Sequence, residues 1–199
     1  MFEVRPARSD DVEAAVAMLG DAFARDPLMA WLFGDHPEGL RAGVLTFFSI
    51  LLRARLVLNM PALVVHRDGE VLGAAMGYDA SRPIWPAALI EEWRLFEAGA
   101  PPLADRLAAY ERICDAFQPP EAHAYLGVIG VHPSLQGQGA GKRLLETFCE
   151  AARRDERSHG VYLDTTNPDS LEFYYRNGFE LRGEGEVGST PLWCVWKPS

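Results

Sequence analysis

Apolar positions along this chain follow two rhythms, one helical and one strand-like, and the two alternate. Val12, Val16, Leu19 and Phe23 recur at helical spacing after Ser9-Asp10-Asp11, with Asp10 and Glu13 placed as a capping box. Asp26-Pro27 stops that helix. The apolar run 28–33 follows, and its Leu28, Leu32 and Phe33 suit a core turn. Residues 40–56 read as a second helix. Leu103, Leu107, Tyr110, Cys114 and Phe117 stripe a later one, and Leu144, Leu145, Phe148, Cys149 and Ala152 stripe another. Shorter apolar runs read as strands at 2–6, 63–66, 71–78, 126–131, 161–166, 179–182 and 192–196. Asp68-Gly69 marks a hairpin turn between the second and third of these.

Strands and helices are therefore mixed, with hairpins at both ends, which predicts an α/β sheet carrying helices on both faces. Residues 81–121 are too long for a plain connection and read as a helical insertion. Pro86 and Pro101-Pro102 stand where its first helical turns would begin. The insertion holds Trp85, Trp93, Phe96, Tyr110 and Phe117, most of them suited to a core and one or two to a cavity wall.

Bulk composition narrows the possibilities further. With 199 residues, 48% hydrophobic and 24% charged, residues 1–199 suit a single globular domain with that insertion. The formal charge is −9 and the basic residues are scattered, which disfavours a nucleic-acid partner. An acidic surface either keeps the protein soluble or attracts cationic substrates. Cys114, Cys149 and Cys194 lack metal-ligand spacing, so no metal is expected, and Cys149 suits a reduced core thiol. Glu3 and Arg5 interrupt any leader-like run, and apolar stretches such as 44–52 are too short for a bilayer. A cytoplasmic protein with no membrane partner is expected.

The most informative stretch runs from Tyr125 to Leu145. A strand ends at Pro133, a loop with Gly137, Gly139 and Gly141 follows, and a helix then begins. Such a loop lets backbone approach a ligand and aims free N–H groups at an anion. A Walker loop would need Gly and Ser or Thr where Gln136 and Arg143 stand, and a dinucleotide fingerprint would need Gly at Lys142 or Leu144. Gln136, Gly139 and Gly141, preceded by Val131-x-Pro133, instead match Gln/Arg-x-x-Gly-x-Gly/Ala. This resembles the acyl-CoA loop of the GNAT superfamily of N-acetyltransferases. Downstream, Asn167, Tyr174, Gly178 and Phe179 keep the spacing with which such enzymes close the cofactor cleft. Residues 5–11, Ala22-Phe23, 171–179 and the ending Trp193-Cys194 through Lys197-Pro198 are similar to puromycin N-acetyltransferase-like bacterial members.

The resemblance implies a central mixed, mostly antiparallel sheet, with the helical insertion between the third and fourth strands. It implies acetyl-CoA as co-substrate and an acetyl group moved to a primary amine of a small molecule by direct attack on the thioester. Main-chain groups of Ile129 and Val131 would pair with the pantetheine arm. The N–H groups of residues 136–142, hence Gln136, Gly137, Gln138, Gly139, Gly141 and Lys142, would cradle the pyrophosphate. Asn167 would bond the cofactor or cap a helix, and Tyr174 would be the general acid, a phenol being able to protonate a departing thiolate.

Asp26, Trp31 and Tyr78 are candidates for the acceptor pocket. The base is open: residues 125–131 hold no carboxylate, which leaves Glu121, His123, Asp26, Asp79 or a water chain. Two other functions fit the same motifs, acetylation of a protein N-terminus or lysine, and acyl-CoA sensing without catalysis. The last strands offer an edge for a homodimer.

Overall fold

The computed structural model describes residues 2–199. Strand β1 (Glu3–Pro6) leads through one 3-10 turn, Ser9–Asp11, into helix α1 (Val12–Ala22). That extra turn moves the cap. The Arg8 N–H donates to Asp11 Oδ2 at 2.8 Å, and Arg5 grips both Asp11 oxygens at 2.6 and 2.7 Å. Asp11 therefore does the work expected of Glu13, bonding back to the residue that begins the turn, and the Arg5 bonds hold its carboxyl below the ordinary carboxylate range.

The apolar run after Asp26 is a helix rather than a turn. Pro27 opens α2 (Pro27–Phe33), and Asp26 caps it by accepting the Met29 N–H at 3.0 Å. Its Leu32 and Phe33 are buried. Helix α3 (Leu40–Val57) follows, then strands β2 (Ala62–Arg67) and β3 (Glu70–Tyr78). Asp68 and Gly69 both take positive φ, 55° and 87°, the geometry of a two-residue hairpin turn whose twist matches its strands.

The insertion comprises α4 (Ala87–Gly99) and α5 (Pro102–Phe117), between β3 and β4 (Ala124–Val131). Then come α6 (Ala140–Arg154), β5 (Gly160–Thr165), α7 (Pro168–Arg176), β6 (Glu180–Val187) and β7 (Thr190–Pro198). The final hairpin is longer than its apolar runs suggest, because Gly183 and Gly185 give up side chains to make room for Phe117 and Ile113 of α5.

Seven strands form one sheet in the order β1-β2-β3-β4-β5-β7-β6, all neighbours antiparallel except β4 and β5. Alternation along the strands divides the core between two faces. Val64, Ala74 and Met76 pack with α1, α2 and α3, whereas Val65 and Ala75 pack with α6 on the opposite face. No helix among the described residues is long and apolar enough to cross a membrane.

The sheet has one break. β4 and β5 pair only at Ala124 with Val161 and at Tyr125 with Tyr162. Beyond Tyr125 the two strands diverge, and a cleft opens between the rest of β4 and the end of β5.

Candidate active site

That cleft is the floor of a cavity of about 1100 Å³. Residues 126–131 form one side of it and residues 164–167 the other. On its β3 side, β4 is paired continuously from Val128 to Val131, Ile129 with Ala75 and Val131 with Gly73. Its opposite edge meets no strand beyond Tyr125, leaving main-chain groups available to an extended ligand arm.

At the far end of β4, the glycine loop delivers the N-terminus of α6 to the cavity. Gly139 is the N-cap, in the left-handed region at φ 84°, where a side chain is strained. Two loop N–H groups are already used: Gln136 donates to Pro133 O and Gln138 to Leu135 O, each at 3.2 Å. The first helical bond of α6 is Arg143 N–H to Gly139 O at 3.0 Å, so the N–H groups of Ala140, Gly141 and Lys142 precede the ladder. The N–H groups of Gly137 and Gly139 likewise have no backbone acceptor, so five of the seven donors in 136–142 remain available to an anion. These donors, with no Cβ at Gly137, Gly139 or Gly141, fit a pyrophosphate. Gln136 and Lys142 line the cavity, whereas Gln138 turns back to donate to Ser134 O at 2.6 Å.

The second motif closes the cleft from below. Asn167 caps α7, its Oδ1 accepting the Asp169 N–H at 2.9 Å, and it also lines the cavity. Further along the same helix, Tyr174 packs between Phe173 and Phe179 at only 5% exposure, yet still borders the cavity. Burial, then the nearby charges of Asp164 and Asp26, raise its phenol far above the ordinary value, so it stays protonated.

Asp26 and Tyr78 border the same cavity. Trp31 does not: its indole rests on Gly188 in the β6–β7 turn, where a Cβ would come within 2.6 Å of Nε1. Of the four candidate bases, Asp26 alone lines the cavity. Burial raises its carboxyl, against the pull of the Met29 and Leu28 N–H groups. His123 has both ring nitrogens engaged, Nδ1 with Glu121 O at 2.7 Å and Nε2 with Arg82 at 2.6 Å. Asp79 is tied to Ser81 and Arg157, and Glu121 is exposed.

A carboxylate that motif reading passes over sits at the heart of the cleft. Asp164, near the end of β5, accepts from Tyr110 Oη at 2.7 Å and Tyr125 Oη at 2.8 Å. Its only sequence signal is a charge at the end of an apolar strand, Val161-Tyr162-Leu163-Asp164. The insertion supplies the remaining wall through Trp85, Trp93 and Tyr110, while Phe96 is buried and Phe117 faces Gly183.

A family model described as the acetyltransferase (GNAT) family matches residues 25–179, which include the cleft, the glycine loop and Tyr174. The chain belongs to the GNAT family of acetyltransferases. An acetyltransferase of Agrobacterium fabrum is 39% identical over 59 residues, 30% of this chain and 42% of that relative's length. The chain thus spans less than half of that curated relative. Among solved structures, histone acetyltransferase HPA2 and related acetyltransferase from Corynebacterium glutamicum superposes with a TM-score of 0.72 at 23% identity, covering 100% of this chain and 97% of that one. The Drosophila melanogaster polyamine N-acetyltransferase, described as forming N-acetylagmatine, gives 0.66 at 21%, with 98% of each chain covered. A Thermoplasma acidophilum PaiA N-acetyltransferase in complex with coenzyme A gives 0.61 at 16%, covering 100% and 99%. These structural likenesses establish the GNAT fold. In that fold this member places its glycine loop, Tyr174 and Asp26 around one cavity.

Proposed function

We propose that this GNAT protein transfers an acetyl group from acetyl-CoA to a primary amine of a small molecule. The observation that carries this reading is the shared cavity: the donors at the start of α6, the open edge of β4, Tyr174 and Asp26 all border it. Acetyl-CoA supplies the activated thioester. The N–H groups of Ala140, Gly141 and Lys142 hold its pyrophosphate, with Gln136, Gly137 and Gly139 shaping the loop. Main-chain groups of Ile129 and Val131 receive the pantetheine arm, and Asn167 borders it.

Asp26 takes a proton from the ammonium, because its raised carboxyl is a better base than an ordinary one and it lines the cavity. Asp164 is a poorer candidate, since a phenol occupies each of its oxygens. The amine nitrogen then bonds to the acyl carbon as the carbon–sulfur bond breaks. Tyr174 gives its proton to the departing thiolate and regains one from the new amide nitrogen through water, while Asp26 releases the proton it took to solvent.

The wall built by α4 and α5 favours a small acceptor over a protein segment, and the buried, cavity-facing Tyr174 favours catalysis over sensing. Incubation with acetyl-CoA and a panel of amines, read by free thiol and product mass, tests the reading. Turnover of a small amine is expected. Acetyl-CoA binding with no turnover of any amine, or transfer to proteins alone, would overturn it.

A further inference from the structure

Arg55, in the last turn of α3, is a buried cation without a counter-ion. It is 5% exposed and lines the cavity. Its guanidinium lies over the Tyr78 ring at 4.1 Å from the centroid and 5.8 Å from that of Trp85. Of its five N–H donors, one reaches a protein acceptor, Leu51 O, at a long 3.4 Å. Its Nε is buried with no partner at all, and no carboxylate pairs with it among the described residues. Two residues earlier, the half-exposed Arg53 is gripped by Glu92 through both terminal nitrogens. The arginine that needs a partner less has one.

A buried guanidinium with spare donors is costly, and stacking on Tyr78 and Trp85 offsets only part of that. Of the other arginines lining the cavity, Arg82 bonds Gln118 and His123, Arg94 faces Glu91, and Arg25 is exposed to water. Arg55 is thus the one held buried without a counter-ion among the described residues. The geometry points to an acceptor that carries a carboxylate as well as its amine, with Arg55 binding the carboxylate in the acceptor half of the cavity. This rests on the reading of that cavity as an acetyltransferase site. One unpaired guanidinium neutralises one negative charge, which suits a carboxylate better than a phosphate dianion. It also repels an ammonium placed beside it, so spermidine should gain nothing from Arg55, whatever Asp26, Glu111, Asp115 and Asp164 elsewhere in the cavity offer it. The aromatic wall of Tyr78, Trp85 and Trp93 suits an apolar or aromatic amino acid.

Matched pairs test this directly: phenylalanine against phenethylamine, and leucine against isopentylamine, with spermidine as the polycation. The amino acids should exceed their decarboxylated partners in kcat/KM by about tenfold or more, the scale of a charge-assisted bond. Arg55→Gln should erase the preference and Arg55→Lys retain part of it, with acetyl-CoA affinity reporting an intact fold in both. Calorimetric titration of N-acetylphenylalanine and N-acetylphenethylamine into the CoA-loaded protein supplies a readout independent of turnover. Carboxylate-dependent binding lost in Arg55→Gln, without turnover of any amine, would uphold Arg55 and sink the transferase reading. Equal turnover of the decarboxylated amines would sink the carboxylate and leave the transferase standing. Equal binding of the two amides, or binding of neither, would overturn the proposal.

Discussion

The Tyr125 hydroxyl donates to Asp164 Oδ1 at 2.8 Å, bridging β4 and β5 just where their pairing stops. Tyr110 of α5 donates to Oδ2 at 2.7 Å, so the helical insertion meets both strands on one carboxylate. Burial raises Asp164 while the two phenol bonds lower it, and the phenols themselves are pushed up and remain donors. The cluster acts as a strut: it fixes how far the strands diverge, and hence the width of the cleft.

Removing the strut should be felt as instability. Asp164→Ala leaves the Tyr110 and Tyr125 hydroxyls only each other, at 3.2 Å, so one of the two loses its acceptor, and it should cost about 1–3 kcal/mol in urea unfolding. Asp164→Asn keeps an acceptor of the same shape and should cost nearer ~1 kcal/mol. Equal losses in the two variants would show that volume, not hydrogen bonding, holds the site.

Tyr174→Phe removes only the hydroxyl from a ring packed between Phe173 and Phe179. Packing and acetyl-CoA affinity should survive, while kcat falls by about 10²–10⁴ as expected for a lost general acid. Substrates with a more acidic thiol leaving group should be less affected. A kcat close to that of the parent would remove the acid role.

Asp26 should set the acid limb of the activity profile. Its carboxyl is raised from 3.8 by burial and by the charge of Asp164, so kcat/KM should rise through a pKa above the ordinary carboxylate range. The linked stability has a definite sign. The contribution is fully present below the unfolded pKa of about 3.9 and is lost as pH rises through the raised folded value. Asp26→Asn, which can still cap α2, should abolish the acid limb. It should also gain stability relative to the parent between acid and neutral pH, measurable by unfolding across that range.

Both linear motifs were legible in the chain because their meaning is local. Glycine loop, helix start and the Asn167-to-Phe179 spacing all concern backbone within a few residues, and the sheet followed from alternation. Asp164 and Arg55 were not legible, since what marks them is tertiary. Asp164 acquires its role from hydroxyls 39 and 54 residues away, and Arg55 from the absence of a partner that Arg53 has. Trp31 misled for a related reason. It stands five residues after Asp26, but α2 turns that short distance into a different direction, toward Gly188.

Gly139 and Gly141 look alike in the motif but answer to different physics, and alanine separates them. Gly139 sits at φ 84° with nothing within 4 Å of the place a Cβ would occupy, so the strain is conformational and should cost about 1–2 kcal/mol. Gly141 lies in the first turn of α6, where a Cβ would touch only Val131 Cγ1 at 3.9 Å. There alanine should stabilise the ligand-free protein by up to about 1 kcal/mol, the helix-propensity difference. Its methyl would nonetheless stand beside the N–H groups that hold the pyrophosphate, so acetyl-CoA affinity should drop. Thermal unfolding and acetyl-CoA titration of the two variants should therefore give Tm changes of opposite sign with weakened binding in both. A Gly141→Ala variant that binds acetyl-CoA as the parent does would move the pyrophosphate away from the start of α6.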